Sequence, residues 1–253
     1  MARPAGQPVA IVTGGARGIG RAIGEALAAD GYAIALVDLN GEAAEATARE
    51  LAAAGTTAVA YQADVRDYAR AQEIVADLIG RFGRVDGLIN NAGVTSPTPF
   101  PELTEAAWDL VIGVHLKGSF NWSHAVAPHM LAAGWGRIIC ISSMNAKTGG
   151  AFPAVSKTAY AAAKAGMLGL IRGLARDLAP AVTANAVCPG LIRTELSAAM
   201  WAGPQAEAVV ASIPAGRLGL PEDIANAVAF LVSERADYIS GEALDVNGAV
   251  YID

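Results

Sequence analysis

The sequence predicts an α/β fold, one doubly wound parallel sheet of the Rossmann type with helices on both faces, and three observations carry that expectation. Short apolar runs rich in β-branched residues alternate along the chain with longer segments of helical apolar spacing. Several of those runs, AIALV and RIICI among them, are apolar throughout, as strands buried on both faces must be. The first run passes through a glycine-rich turn, TGGARGIG, straight into a helical pattern, RAIGEALAADG. Strand, turn and helix in that order make a βαβ unit, and its repetition gives right-handed crossovers and a parallel sheet.

Taken in order, the apolar runs place strands near 8–13, 33–38, 57–61, 85–90, 136–142, 182–188 and 243–246. Helical spacing between them places helices near 18–30, 41–54, 67–82, 104–132, 156–179 and 221–233. No linker, charge block or internal repeat divides the chain, so a single domain over 1–253 is expected. With 53% hydrophobic and 17% charged residues, that domain can bury a large core.

Composition also narrows the function. The opening MARPAGQ lacks an apolar signal region, and no apolar stretch reaches the ~18 residues that span a bilayer, so a cytoplasmic protein is expected. A net charge of −6 argues against a nucleic-acid or anionic-membrane partner. Cys140 and Cys188 sit in strand-like runs without C-x-x-C spacing and read as buried free thiols. His124 and His129 are not spaced to share one helix face, so no metal is expected.

The glycine turn has a chemical reading. Gly14, Gly15, Gly18 and Gly20 let the backbone approach a pyrophosphate closely, and the following helix offers free N–H groups and its positive dipole end. A purely structural turn would use the same glycines, so the next strand decides. It ends in Asp38, 18 residues after Gly20, about where an acidic residue would bind a ribose 2′-hydroxyl. Farther on, Tyr160 and Lys164 stand one helical turn apart. A phenol near pKa ~10 becomes a useful acid/base when a neighbouring cation favours its phenolate. The strand RIICISS before them ends in Ser143.

With these residues the chain resembles the short-chain dehydrogenase/reductase family over nearly its whole length. The shared motifs are the glycine turn, Asp64-Val65, Asn90-Asn91-Ala92-Gly93, Ser143 with Tyr160 and Lys164, and Cys188-Pro189-Gly190 with Thr194. The resemblance implies an NAD(P)-dependent oxidoreductase. Ser143 would bond the substrate oxygen, Tyr160 would transfer its proton, and Lys164 would hold the phenolate and bond the ribose. The implied cofactor set is Gly14, Arg17, Gly18, Ile19, Gly20, Asp38, Leu39, Asp64, Val65, Asn91, Ala92, Gly93, Tyr160, Lys164, Pro189, Gly190, Ile192 and Thr194. Asp38 favours NAD over NADP, because its carboxylate opposes a 2′-phosphate and neither Leu39 nor Asn40 supplies a cation; Arg17 pulls the other way. A homotetramer is implied as well, pairing the helices near 104–132 and 156–179 through the small-residue run AYAAAKAGMLGL.

Two departures from the family pattern stand out. The helix after Asn91 usually carries an asparagine that holds a water in a proton relay, and here that setting reads Val114-His115-Leu116-Lys117-Gly118. Neutral histidine both donates and accepts, so His115 is expected to join the catalytic set; a relay through it should fail on acidification. The stretch from Ser143 to Tyr160 is also several residues longer than the commonest family spacing, which points to an enlarged loop beside the substrate. Ser142 and Ser156 remain alternatives to Ser143, with Ser156 also reading as a helix N-cap.

The substrate expected is a small secondary alcohol or ketone, with a 3-oxoacyl thioester and a polyol or sugar as alternatives. A non-catalytic NAD sensor is the reading from another class. A helical lid near 191–214 would cover the pocket. Met144, Phe152, Val155, Met200 and Trp201 would make that pocket partly apolar, while Asn145, Thr95 and Ser96 offer hydrogen bonds. Lys147, Lys157 and Arg193 are scattered and form no basic patch for an acyl carrier protein.

Overall fold

The computed structural model describes residues 3–150, 156–195, 197 and 204–253. Among them, seven strands form one sheet: β1 (Val9–Thr13), β2 (Ala33–Asp38), β3 (Ala58–Gln62), β4 (Gly87–Asn90), β5 (Gly136–Ile141), β6 (Val182–Pro189) and β7 (Ala243–Val246). The order across the sheet is β3-β2-β1-β4-β5-β6-β7, and every neighbouring pair is parallel. The helices are α1 (Gly18–Ala29), α2 (Gly41–Ala53), α3 (Tyr68–Phe82), α4 (Glu105–Ile112), α5 (Gly118–Ala133), α6 (Asn145–Thr148), α7 (Thr158–Asp177), α8 (Pro204–Ala211) and α9 (Pro221–Val232).

The strands show why the apolar runs had to be continuous. In β1, Ala10 and Val12 join Ile23, Leu27 and Val228 on the side of α1, α2 and α9. Ile11, between them, joins Ile74, Trp122 and Met167 on the side of α3, α5 and α7. Successive side chains point to opposite faces and both faces are covered, so a polar residue on either would be stranded. Each fully buried Ile or Leu stabilises the fold by roughly 1.5–3 kcal/mol. The edge strand β3 is only partly buried.

Strand order reverses between β1 and β4. The chain leaves β1 toward β2 and β3, then returns to the other side of β1, so the helices diverge beyond the carboxyl ends of β1 and β4 and leave a crevice.

The single helix expected over 104–132 is interrupted. Between α4 and α5 the turn Gly113–Lys117 is π-helical, carrying an extra residue that apolar periodicity does not reveal. Two glycines make room for it: a Cβ on Gly113 would lie 3.2 Å from Arg66 Cδ, and one on Gly118 only 2.9 Å from Val65 Cγ2. The Ser119 hydroxyl donates to the His115 carbonyl at 2.6 Å. Helix α6 was not anticipated, being too short for periodicity to register.

Ser156 is not the N-cap of α7; Lys157 holds that place, and the Ser156 hydroxyl accepts from the Ser96 N–H at 3.2 Å. Of the expected lid, 191–195, Ser197 and 204–214 are described, whereas Met200, Trp201 and Gly203 lie outside the described residues, as do Phe152 and Val155. Cys140 and Cys188 are free and buried. No helix among the described residues is long and apolar enough to cross a membrane.

Candidate active site

The crevice is a cavity of about 750 Å³, lined by every residue of the expected catalytic and cofactor sets. Its floor is the glycine turn. The Gly14 and Gly15 N–H groups donate to the Val37 carbonyl, pinning the turn to β2. Gly14 and Gly18 take φ of +63° and +55°, which a side chain would strain. A Cβ on Gly20 would overlap the Gly14 carbonyl. Beyond the turn, α1 begins with neither a side-chain cap nor an acidic residue in its first turn. Its leading N–H groups therefore face the cavity with a positive dipole end, a cradle that fits a pyrophosphate.

Asn91 closes this turn from the other side. Its amide donates to the Thr13 and Gly14 carbonyls at 3.0 Å each, so it braces the loop instead of presenting those donors to a ligand. Asp38 lies at the end of β2, its Oδ2 accepting from the Ala16 N–H at 3.2 Å and its Oδ1 from the Asn40 N–H at 3.0 Å. Each oxygen keeps a lone pair for a ribose hydroxyl. Arg17 is exposed at the rim.

Leu39, Val65, Arg66, Leu110 and Val114 also line the cavity. Arg66 escaped the sequence reading because its role depends on a chelate-like contact. Its Nε donates to both Asp64 oxygens at 3.0 Å, and its Nη2 to Oδ2 at 2.6 Å. The Arg66 hydrogen bonds hold the Asp64 carboxyl below its ordinary range.

The opposite end gathers Ser143, Tyr160, Lys164 and His115. Tyr160 and Lys164 share one face of α7, with the Lys164 Nζ 5.4 Å from the Tyr160 ring centre. Lys164 is 3% exposed and donates to the Ile141 carbonyl at 2.6 Å. Burial lowers its ammonium to about 8. Tyr160 keeps an edge open to the cavity, yet the protein packed round its phenol pushes it up to about 12, against a smaller downward pull from the Ser143 hydroxyl. Ser142 and Ser143 are told apart by their partners. The Ser142 hydroxyl donates to the Lys164 carbonyl at 2.9 Å, which commits it to α7, whereas Ser143 Oγ accepts from the Asn145 N–H at 3.1 Å and faces Tyr160.

His115 completes this end. The π turn points its ring into the protein, edge-on to Tyr160 with 5.1 Å between centres, and leaves it 1% exposed. Nε2 lies 2.8 Å from the Val94 carbonyl oxygen and 3.2 Å from the Val94 nitrogen. One nitrogen cannot donate to the first and accept from the second at once; the shorter contact fits an Nε2–H tautomer and leaves Nδ1 a buried acceptor without a partner. Burial, then the nearby Lys164 charge, lowers His115 to about 3 despite the Val94 bond. The imidazole is thus neutral over the whole working range, and the expected failure of a relay on mild acidification does not follow. Gly93 lies under the ring, where a Cβ would meet Cε1 at 2.5 Å.

Pro189 and Gly190 form the far wall, where a Cβ on Gly190 would come within 2.7 Å of Asn247 Cα. Ile192 bridges to Gly219, and the Thr194 N–H donates to Ser197 Oγ at 2.8 Å. Thr194 closes over the glycine turn, its Cγ2 3.8 Å from where a Gly18 Cβ would be. Of the expected pocket residues, Met144, Asn145 and Thr95 line the cavity. Ser96 does not; its N–H and carbonyl bond Ser156 and Lys157.

Comparison with known proteins gives a consistent picture. A family model described as Enoyl-(Acyl carrier protein) reductase matches residues 14–250. "Nodulation protein G" of Azospirillum brasilense is 41% identical over 246 residues, covering 96% of this chain and 98% of the relative. A 3-oxoacyl-[acyl-carrier-protein] reductase of Staphylococcus aureus is 40% identical with the same coverage. An acetoacetyl-CoA reductase of Rhizobium meliloti is 41% identical over 245 residues, again covering 96% and 98%. Among solved structures, that of gox2181 superposes with a TM-score of 0.92 at 33% identity, covering 97% of this chain and 96% of its own.

Proposed function

The chain belongs to the short-chain dehydrogenase/reductase family, and on that premise we propose that it is an NAD(H)-dependent enzyme interconverting a ketone and a secondary alcohol, with Tyr160 as the acid/base. The observation that carries this reading is one continuous cavity that has Asp38 and the uncapped start of α1 at one end and Ser143, Tyr160 and Lys164 at the other.

When bound, held by the start of α1 and Asp38 at one end and Pro189 and Gly190 at the other, a nicotinamide cofactor would supply or accept the hydride. The remaining work falls to the protein. Ser143 donates to the substrate oxygen and fixes the carbonyl against the Tyr160 hydroxyl, which gives up its proton as the oxygen becomes anionic. Lys164 lowers the cost of the phenolate so formed by placing a positive charge beside it. His115 is a positioning group in this scheme, holding Val94 and the edge of the Tyr160 ring. Pro189 and Gly190 exclude water behind the reacting carbon.

Small ketones and alcohols are the substrate class we favour, because Met144 and Val94 make the substrate end partly apolar while Asn145 and Thr95 offer hydrogen bonds. A 3-oxoacyl thioester is the second reading, favoured by the names of the Staphylococcus and Rhizobium relatives. Oxidation of NADH and NADPH across a panel of ketones, keto-sugars and acetoacetyl-CoA separates the two. No turnover of any member with either cofactor would leave a binding protein.

The cofactor preference follows from Asp38. A 2′-phosphate would bring two negative charges against a carboxylate already anchored by two N–H groups. We expect kcat/KM with NADH to exceed that with NADPH by at least ~10-fold, the equivalent of ~1.4 kcal/mol. Asp38→Asn should narrow the ratio. Equal or better use of NADPH by the wild type would show that Arg17 governs the choice.

We further propose a homotetramer. Phe120 and Leu131 leave large apolar side chains exposed on α5, a surface suited to helix pairing. Light scattering should return four copies of the 25.7 kDa chain, and a monomer mass would end the proposal.

A further inference from the structure

Helix α6 follows directly on Ser143 and has four residues, far too few to be stable by itself. Its N-cap residue, Met144, supplies no side-chain cap. Its position nevertheless matters, because the N–H of its first residue, Asn145, is the donor to Ser143 Oγ, and Met144 and Asn145 line the substrate end. With one lone pair so engaged, the Ser143 hydroxyl still has its hydrogen free to donate.

Besides the Asn145 amide, which donates to the Ser156 carbonyl at 3.1 Å, α6 is held by Lys147. Its side chain is 10% exposed, and its Nζ donates to Asp245 Oδ2 at 2.7 Å, to Asp253 Oδ2 at 2.5 Å and, at 3.4 Å, to the Ala243 carbonyl. The Tyr251 ring covers the ammonium at 5.8 Å. Asn247 donates to the Tyr251 carbonyl at 2.9 Å and packs against Gly190, so the same cluster leans on the wall of the site. The Met144 N–H donates to the Pro189 carbonyl at 3.0 Å, tying the Ser143 turn to that wall. An isolated surface ion pair contributes little. This ammonium is different: it is half-buried and shared between two carboxylates, and although burial opposes it, their hydrogen bonds hold it above its ordinary pKa.

We propose that Lys147 is a positioning residue for the reaction, clamping α6 to β7 and to the 247–253 segment so that the Ser143 hydroxyl keeps its orientation toward substrate. The inference rests on the role given to Ser143 above. It assigns catalytic weight to Asp245 and Asp253, which never approach the cavity.

A double-mutant cycle tests it. Lys147→Met should lower kcat/KM for the ketone roughly 10-fold, chiefly in kcat, with NADH affinity within about twofold of wild type. Lys147→Arg should restore most of the loss. In a Ser143→Ala background Lys147→Met should change kcat/KM by less than about twofold, because the group being positioned is gone. Equal losses in both backgrounds, or wild-type kinetics for Lys147→Met, would overturn the proposal. Should Lys147→Met fail to fold, Asp253→Asn alters an exposed carboxylate, and a loss of about threefold that vanishes in Ser143→Ala is the expected result; wild-type kinetics there would overturn it equally. Full activity of Ser143→Ala by itself would refute the reading of Ser143 and is visible without touching Lys147.

Discussion

Tyr160→Phe is expected to lower kcat/KM by ~10²–10⁴ while leaving NADH affinity within a few-fold, since it removes one transferable proton and almost no volume. Steady-state turnover beside a fluorescence titration with NADH measures both, and residual activity above about a tenth of wild type would move the acid/base role elsewhere. The direction of the reaction sharpens this. Burial raises Tyr160 to about 12, so near neutrality it is the phenol, the form that protonates a developing alkoxide. Carbonyl reduction should therefore run well at neutral pH, and alcohol oxidation, which needs the phenolate, should accelerate as pH rises. Because His115 lies near 3, kcat/KM for reduction should show no step around the ordinary histidine value of 6.5. A step there that disappears in His115→Asn would return the imidazole to proton transfer.

Lys164→Met is expected to separate activity from stability. Turnover should fall by ~10² or more, because the charge beside the phenolate is lost, and NADH should bind more weakly if Lys164 bonds the ribose as proposed. Stability should move the other way. The Lys164 ammonium has its pKa lowered from 10.5 to about 8 by burial. Between those values the unfolded chain binds the proton that the folded chain has released, so wild-type stability rises with pH across that window. Below about 8 both states are charged, and burial of the ammonium costs a few kcal/mol. Methionine removes that cost but gives up the hydrogen bond to the Ile141 carbonyl, worth ~1 kcal/mol. The variant should melt several degrees higher at pH 7, with the gap closing toward pH ~10.5. A variant less stable than wild type throughout would show that the Ile141 contact outweighs desolvation.

Much of this molecule was legible from its sequence, and the reason is that the legible parts are local. A strand buried on both faces must be apolar at consecutive positions, so AIALV and RIICI revealed β2 and β5 within a residue or so of their observed ends. A helix brings residues one turn apart together whatever surrounds it, so Tyr160 beside Lys164 needed no tertiary information. The glycine turn and Asp38 are likewise adjacent through one βαβ unit. Because parallel strands deliver their carboxyl ends to one edge, the gathering of these residues in a single cavity followed from strand order.

Only the tertiary structure decided the rest, because it depends on contacts between segments that no local period connects. Ser142 and Ser143 are chemically alike, and what separates them is that α7 consumes one hydroxyl and α6 orients the other. The helix expected over 104–132 needed a π turn to bring His115 against Val94 and Tyr160, and packing there, not the residue type, made the imidazole a neutral group. Arg66 acquired its role from Asp64 and the space over Gly113. Lys147, which the sequence shows as one scattered cation among several, became a clamp because β7 brings Asp245 to it and the 247–253 segment folds Asp253 back over it. Burial and charge pairing are set by what the rest of the chain places around a residue, and one-dimensional spacing carries no record of that.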